Sequence, residues 1–330
     1  MKRLYGVISI ILLFLVVAFF KETTTSQKNK IPHVGILQLM SHPALDEIHR
    51  GIVDELKANG YEDGKNIKIK LFNGQGDQSN LNTMSNQLIQ DKSDVVVGIA
   101  TPSAQALANA TKKTPIVLSG VTDPKGSGLV ADNQHPGNNV TGVSDQAPIK
   151  QQFELVTQIL PKLHDIGIIY TSSDPSATLQ MKQFKKIAEK NGIKVHLASI
   201  SSLNDLTQVT KSLIPQVQAI YIPTDNTVAS GLNNIKELTM QAKIPVFPAA
   251  ETMMKDGGLA TIGLSQYEIG RQSGKMIVAI LKHHKAPKNT PIKFIRKGKL
   301  ILNLKQAQLL NIKFSNSLLE EAKKRGEILK

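Results

Sequence analysis

No cysteine occurs among the 330 residues, which removes disulfides, thiolate nucleophiles and cysteine-based metal sites together. Tryptophan is absent too, and aromatic residues make up only 4% of the chain, so a sugar-stacking platform is disfavoured. The eight histidines never fall in a His-x-x-x-His or His-Glu-x-x-His spacing. His283 and His284 are neighbours, and neighbouring side chains on a helix do not face one another, so neither a metal site nor another cofactor is expected. There is also no Gly-x-Ser-x-Gly elbow, no Gly-x-x-x-x-Gly-Lys phosphate loop and no Gly-x-Gly-x-x-Gly turn after the first apolar run. No enzymatic role is expected.

What is present is ample apolar material, 41% of the residues against 20% charged, enough for two cores of ordinary domain size. Forty Lys plus Arg against 26 Asp plus Glu give a net charge of +14. The lysines are scattered along helices rather than massed beside aromatics, so the surplus reads as a solvated basic exterior, and no nucleic-acid partner is expected. The longest basic cluster, Lys282, His283, His284, Lys285 and Lys288, follows an apolar helix and reads as its last turn, where cations meet the negative end of the dipole.

At the amino terminus, Lys2 and Arg3 precede an apolar run over residues 4–20, after which Lys21 opens a polar stretch. This is an export signal, and Phe19 and Phe20 at its end leave no small-x-small cleavage site, so it is expected to stay as a membrane anchor, with cleavage and secretion the alternative. Residues 21–30 are then a tether, and the remainder lies outside the membrane, on the outer face of the cell. A DNA-bound repressor would need a helix-turn-helix in the place this segment occupies.

Two halves repeat one pattern. Val34-Gly35-Ile36-Leu37 returns as Ile166-Gly167-Ile168-Ile169, and Thr114-Pro115-Ile116-Val117 as Ile244-Pro245-Val246-Phe247, about 130 residues later. Near-continuous apolar runs that stop at small or polar loops and then give way to helix-period segments predict an α/β fold: two Rossmann-like lobes, each a parallel sheet covered on both faces. Residues 31–145 plus 264–292 form the expected first lobe, and 146–263 plus 293–330 the second. In such sheets the loops at the carboxyl edges collect on one side, so both lobes present theirs to a common cleft.

Those loops carry the candidate site. Thr101, Ser103, Thr122, Ser144, Ser173 and Ser176 are hydroxyls at or beside helix starts, each of which could be a plain N-cap instead of a ligand contact. Asp225 and Glu251 are acids at two strand ends of the second half, able to neutralise one ammonium group together or, less simply, to act as an acid-base pair. The candidate list also takes in Gln38, His42, Leu45, Pro102, Val121, Asp123, Gly142, Ser172, Thr224 and Asn226 from the same loops. Asp123 before Pro124 and Asp174 before Pro175 read equally as turn formers, and His42 could titrate, contact ligand or fill space. Tyr170, Tyr221, Tyr267 and Phe247 could wall an aromatic side chain or belong to the core.

In order along the chain, Gly35-Ile36-Leu37-Gln38 with His42-Pro43-Ala44-Leu45, Thr101-Pro102-Ser103-Ala104-Gln105, Thr122-Asp123-Pro124, Asn139 through Asp145, Tyr221 through Val228 and Gly270-Arg271-Gln272 resemble the ABC-transporter substrate-binding family that includes the tryptophan- and tyrosine-binding proteins. The resemblance runs from residue 32 to the end. It implies a type I periplasmic-binding-protein fold with three interlobe crossings, capture of a solute by closure, and docking on a permease with a cytoplasmic ATPase. The expected ligand is an amino acid, tryptophan or tyrosine, held by a monomer without cofactor. A ligand-sensing lobe for a membrane receptor or kinase, or a binder of another small solute, are the alternatives. One departure stands out: many relatives are lipoproteins anchored through a cysteine, and here the retained helix takes that role.

Overall fold

The computed structural model describes residues 31–330; the anchor and tether expected at residues 1–30 lie outside it. No described helix is long and apolar enough to cross a membrane.

Each apolar run that ends at a small or polar loop becomes a parallel strand followed by a helix. In the first half these are β1 (His33–Gln38), α1 (Pro43–Ala58), β2 (Lys68–Asn73), α2 (Gln78–Gln90), β3 (Val95–Ile99), α3 (Thr101–Ala110), β4 (Ile116–Ser119) and β5 (Val140–Ser144). In the second half come α4 (Ile149–Ile159), β6 (Asp165–Thr171), α5 (Pro175–Lys190), β7 (Lys194–Ile200), α6 (Leu206–Leu213) and β8 (Ala219–Ile222). There follow α7 (Asn226–Ser230), α8 (Leu232–Gln241), β9 (Val246–Pro248) and β10 (Ala260–Gly263). The chain then returns through α9 (Gln266–His283) and β11 (Lys293–Phe294) and finishes with β12 (Lys299–Asn303), α10 (Leu304–Leu309), α11 (Asn316–Arg325) and β13 (Glu327–Leu329).

The repeat seen in the sequence is a repeat of topology. The first sheet runs β11-β5-β4-β3-β1-β2 and the second β7-β6-β8-β9, so the second strand of each half flanks the first and the third lies on its other side. All neighbours in both sheets are parallel. Strands β1 and β3 are buried almost throughout, as expected for a sheet covered on both faces. A third sheet, β10-β12-β13, flanks the second lobe.

One apolar cluster joins residues between Val34 and Val143 to Leu264, Ile269, Ile277 and Ile292. Another joins residues from Ala147 onward to Leu300, Leu302 and Leu318. The chain therefore crosses between lobes after β5, after β10 and after β11. The boundary expected between residues 292 and 293 falls two residues later, because Lys293 and Phe294 pair with Val143 and Ser144 and extend the first sheet.

Several helix starts are explained by their caps. Asp77, Asp174, Asp225, Ser265, Asn303 and Ser315 each accept from a backbone N–H in the first turn of the following helix, removing one of its orphan donors. Lys282 and His283 sit in the last turn of α9, and His284 closes it in the left-handed region at φ 50°. The aromatics considered as cleft walls are placed elsewhere. Tyr221 and Phe247 are in the second core, and Tyr221 stacks on Phe184 at 3.8 Å between centroids. Tyr267 lies beneath the Arg50 guanidinium, 4.3 Å away.

Candidate functional site

The carboxyl ends of the two main sheets face each other across a narrow gap. From the first lobe its wall is built by His42, Ala44 and Leu45 at the start of α1, Ala100 and Thr101 after β3, Gly120 and Thr122 after β4, and Asp145 after β5. From the second lobe come Ser176 at the start of α5, Thr224, Asp225, Asn226 and Ala229 after β8, and Ala250 and Met253 after β9. Gln266, the first residue of α9, closes one end at the second crossing. Room for the centres of water-sized molecules is only about 20 Å³, about one water's worth. The lobes are drawn together.

Direct hydrogen bonds bridge them. His42 Nε2 and Asn226 Oδ1 are 3.0 Å apart, and the hydroxyls of Thr101 and Ser176 are 3.0 Å apart. Ala100 enters α3 at φ 73° without offering a side-chain cap. A non-glycine residue in this region is unusual and strained, and such strain gathers at functional sites. It turns the uncapped start of α3, with its positive dipole end, onto the cleft.

The acids dominate the electrostatics. Asp145 is 7% exposed and Asp225 1% exposed, and burial pushes both carboxyls above the ordinary range. Asp174, one layer behind the wall, is pushed up to about 7 by burial first and by the neighbouring Asp225 charge second. His42 goes the other way: burial holds its imidazole below the usual range against the pull of Asn226 and Asp46, so it is neutral at pH 7. Among the described residues no lysine or arginine lines the gap, although the chain carries +14.

The two lining acids differ in how much of their accepting capacity is free. Asp225 takes the backbone N–H and hydroxyl of Thr171 and the N–H of Val228. Asp145 accepts one hydroxyl, from Thr122 at 2.9 Å, besides a bond to its own N–H. A carboxylate has about four lone-pair sites, so Asp145 is the more available for a ligand.

Of the residues expected at the site, His42, Leu45, Thr101, Thr122, Ser176, Thr224, Asp225 and Asn226 are brought together. The others are placed away from the wall. Gln38 ties the β1 end to Met40 O and Asp46, and Asp123 accepts from Gly126 N in a turn. Ser144 bonds Thr122 O and Gln146 N. Gly142, at φ 149°, lies where a Cβ would come within 2.3 Å of Leu118 O, so its absence of side chain serves sheet packing. Pro102 and Ser103 start α3, with Ser103 fully buried, and Val121 is core. Ser172 and Ser173 are exposed, Ser172 being bonded to Ile200 O.

Glu251 is the main departure. It lines an outer groove with Arg50, Tyr267 and Lys299 and accepts from Gln266 N at 3.1 Å, so it does not share an ammonium with Asp225. Asp145, Met253 and Gln266 were not among the expected site residues. Asp145 stands one position beyond the Ser144 hydroxyl, and period-two alternation at the end of β5 is the signal that separates them. Met253 and Gln266 have no local signature.

Residues 33–325 match the family described as ABC transporter substrate binding protein. The chain belongs to this family. Its members are substrate-binding components of ABC transporters, a solute-binding role. This substrate-binding protein is 34% identical over 282 residues to the tyrosine-binding protein of Clostridioides difficile (strain R20291), a match covering 86% of this chain and 81% of that one. An ABC domain from Streptococcus pneumonia, solved in complex with L-Trp, is 41% identical with a TM-score of 0.87, covering 91% of this chain and all of its own. The ligand-free, open structure of CD0873 from Clostridium difficile is 33% identical, covers 91% of this chain and 99% of its own, and has a TM-score of 0.70. The closer fit to the liganded relative agrees with the narrow gap seen here.

Proposed function

We propose that this protein is an extracytoplasmic, monomeric receptor that captures an aromatic amino acid, tryptophan or tyrosine, and presents it to the permease of an ABC importer driven by a cytoplasmic ATPase, with residues 1–30 holding it to the membrane. The observation that carries this reading is a cleft furnished with two buried carboxyls, hydroxyls and an uncapped helix start but, among the described residues, no lysine or arginine. Such a wall is incomplete until the ligand supplies a cation. The α-ammonium would meet Asp145, with Asp225 behind it. The α-carboxylate would meet the Thr101 and Ser176 hydroxyls and the N–H groups at the start of α3. The ring would lie among Leu45, Ala44, Ala250 and Met253, whose flexible thioether adapts well to aromatic faces. The named ligands of the tyrosine-binding and L-Trp-bound relatives support the aromatic choice.

The absence of tryptophan from the chain makes the test clean. Titrating the full chain with L-tryptophan under indole-selective excitation reads only the ligand, whose emission should shift to the blue as it enters the apolar wall. A dissociation constant of about 1 μM or tighter is expected from calorimetry for tryptophan or tyrosine. Silence from every standard amino acid would reject the reading.

Affinity should also depend on pH. Asp174 is held up to about 7 in the free cleft, and an ammonium nearby favours its ionised form, so binding releases its proton. Between pH about 8 and about 6 affinity should fall, by at most about tenfold per unit. The free protein should move oppositely. The folded carboxyl titrates about 7 against an ordinary value of 3.8, so the folded state holds the extra proton between those values. The contribution of Asp174 to stability therefore falls as pH rises across that window. Calorimetric titrations and thermal melts at matched pH check both signs.

A further inference from the structure

One hydrogen-bonded chain passes from lobe to lobe through three side chains, and its first member fixes the direction of every hydrogen in it. Asp174 Oδ1 caps α5, accepting from Ser176 N at 2.8 Å and Ala177 N at 3.2 Å. Its Oδ2 faces Asn226 Nδ2 at 3.4 Å, and Asn226 Oδ1 faces His42 Nε2 at 3.0 Å. Above pH about 7, where Asp174 is ionised, its carboxylate only accepts, so the amide must turn its NH2 towards Asp174 and its carbonyl towards the other lobe. That carbonyl only accepts in turn, so His42 carries its proton on Nε2. His42 makes no side-chain cap to α1, which leaves the ring free for this contact. Asp174, Asn226 and His42 are 9%, 8% and 6% exposed, so water does not readily stand in for any of the bonds.

We propose that Asp174 is a positioning residue for lobe closure: by orienting the Asn226 amide it selects the Nε2–H tautomer of His42, and that tautomer makes the contact that latches the lobes over a bound solute. The latch depends on the solute-capturing role proposed above, but not on which solute fills the cleft. Two other charged groups face the chain. Asp225 is engaged by Thr171 and Val228, and Asp46, in the first turn of the helix that His42 precedes, is held by Gln38 and Ser41.

A plain N-cap would serve α5 equally well whichever way the amide pointed, and this separates the two roles. In Asp174→Asn the Oδ1 cap survives, but an NH2 replaces Oδ2. Asn226 must then reverse, present its own NH2 to His42, and force the imidazole proton onto Nδ1. The readout is the ¹⁵N spectrum of the histidine rings in the full chain at pH 8.5, with the His42 signals identified by their loss in His42→Gln. The expected result is Nε2–H in the unaltered protein and Nδ1–H in Asp174→Asn. Asp174→Ser, which also caps but is too short to reach the amide, serves as the second variant and should show a mixture. Affinity for L-tryptophan should drop by about tenfold in Asp174→Asn, with no further drop when the change is made in the His42→Gln background.

An Nδ1–H tautomer in the unaltered protein, or an Nε2–H tautomer that survives Asp174→Asn, overturns the proposal, as do losses that simply add. If L-tryptophan does not bind at all while the tautomers behave as described, the latch stands and the choice of solute falls.

Discussion

Asp145→Asn is expected to weaken ligand binding by about a hundredfold while raising the thermal midpoint of the free protein. The substitution keeps the shape of the side chain, and its carbonyl can still accept from Thr122, now at 2.9 Å from Oδ1. What changes is the charge offered to an ammonium in a wall that has no lysine or arginine among the described residues. Removing one partner of a buried, hydrogen-bonded charge pair costs about 2–5 kcal/mol, and a hundredfold in affinity is about 2.7 kcal/mol. The free protein feels the opposite sign. Burial already disfavours the ionised form of Asp145, so a neutral amide relieves a charge held out of water, and a rise of a few degrees (~3 °C) is expected for about 1 kcal/mol. Losing function while gaining stability marks a residue kept for its ligand. Calorimetric titration and differential scanning calorimetry give both numbers, and unchanged affinity would remove Asp145 from the site. Asp225→Asn should behave differently, losing stability as well, because its oxygens already accept from Thr171 and Val228.

The contrast between these two acids shows where sequence reading succeeds. Strand identity, helix starts and the repeat were legible because they are local: continuous apolar runs, Pro after a cap, and one polar loop per strand end. Asp225 was legible for the same reason, as an acid closing an apolar strand. Which of several adjacent polar residues turns inward is set by a half-turn of the backbone at the strand end: Ser144 bonds back to Thr122 O while Asp145 faces the gap. Glu251 followed the same rule of position, yet the short helical turn after β9 sends it to the outer groove and brings Ala250 and Met253 to the cleft. Gln266 reaches the wall only because a crossing between lobes delivers the start of α9 there, and crossings are non-local. The two-residue β11 is too short to have a period, so its pairing with β5 leaves no mark in the sequence. The role of Asp174 was likewise half visible, since a capping aspartate is plain in sequence while its tie to Asn226 depends on the loop after β8.

Replacing Gly270 by valine is expected to have the largest effect on stability, for a reason that ends at the binding site. Helices α1 and α9 touch backbone to backbone: a Cβ built on Gly270 would lie 2.0 Å from Ile48 O, and one on Gly51 would lie 2.2 Å from Tyr267 O. Neither obstacle is a side chain that could rotate away, so relief requires the helices to separate, opening the packing around Ile48, Ile52, Ile269 and Ile277, all fully buried. Overpacking of this kind costs about 1–3 kcal/mol and occasionally more, and with rigid backbone on both sides the upper end applies. A loss of about 3 kcal/mol should lower the midpoint by roughly 10 °C. Gly274→Ala strains the same interface, since its nearest obstacle is Glu55 Cβ at 2.5 Å, an atom fixed by the α1 backbone. Because α9 begins at Gln266 on the cleft wall, pushing it off α1 also moves that wall, and Gly270→Ala, the milder change, should lose ligand affinity along with stability. Thermal melts paired with tryptophan titration measure the two together; a Gly270→Ala protein that melts and binds as the unaltered one does would show that the helices can part without disturbing the cleft.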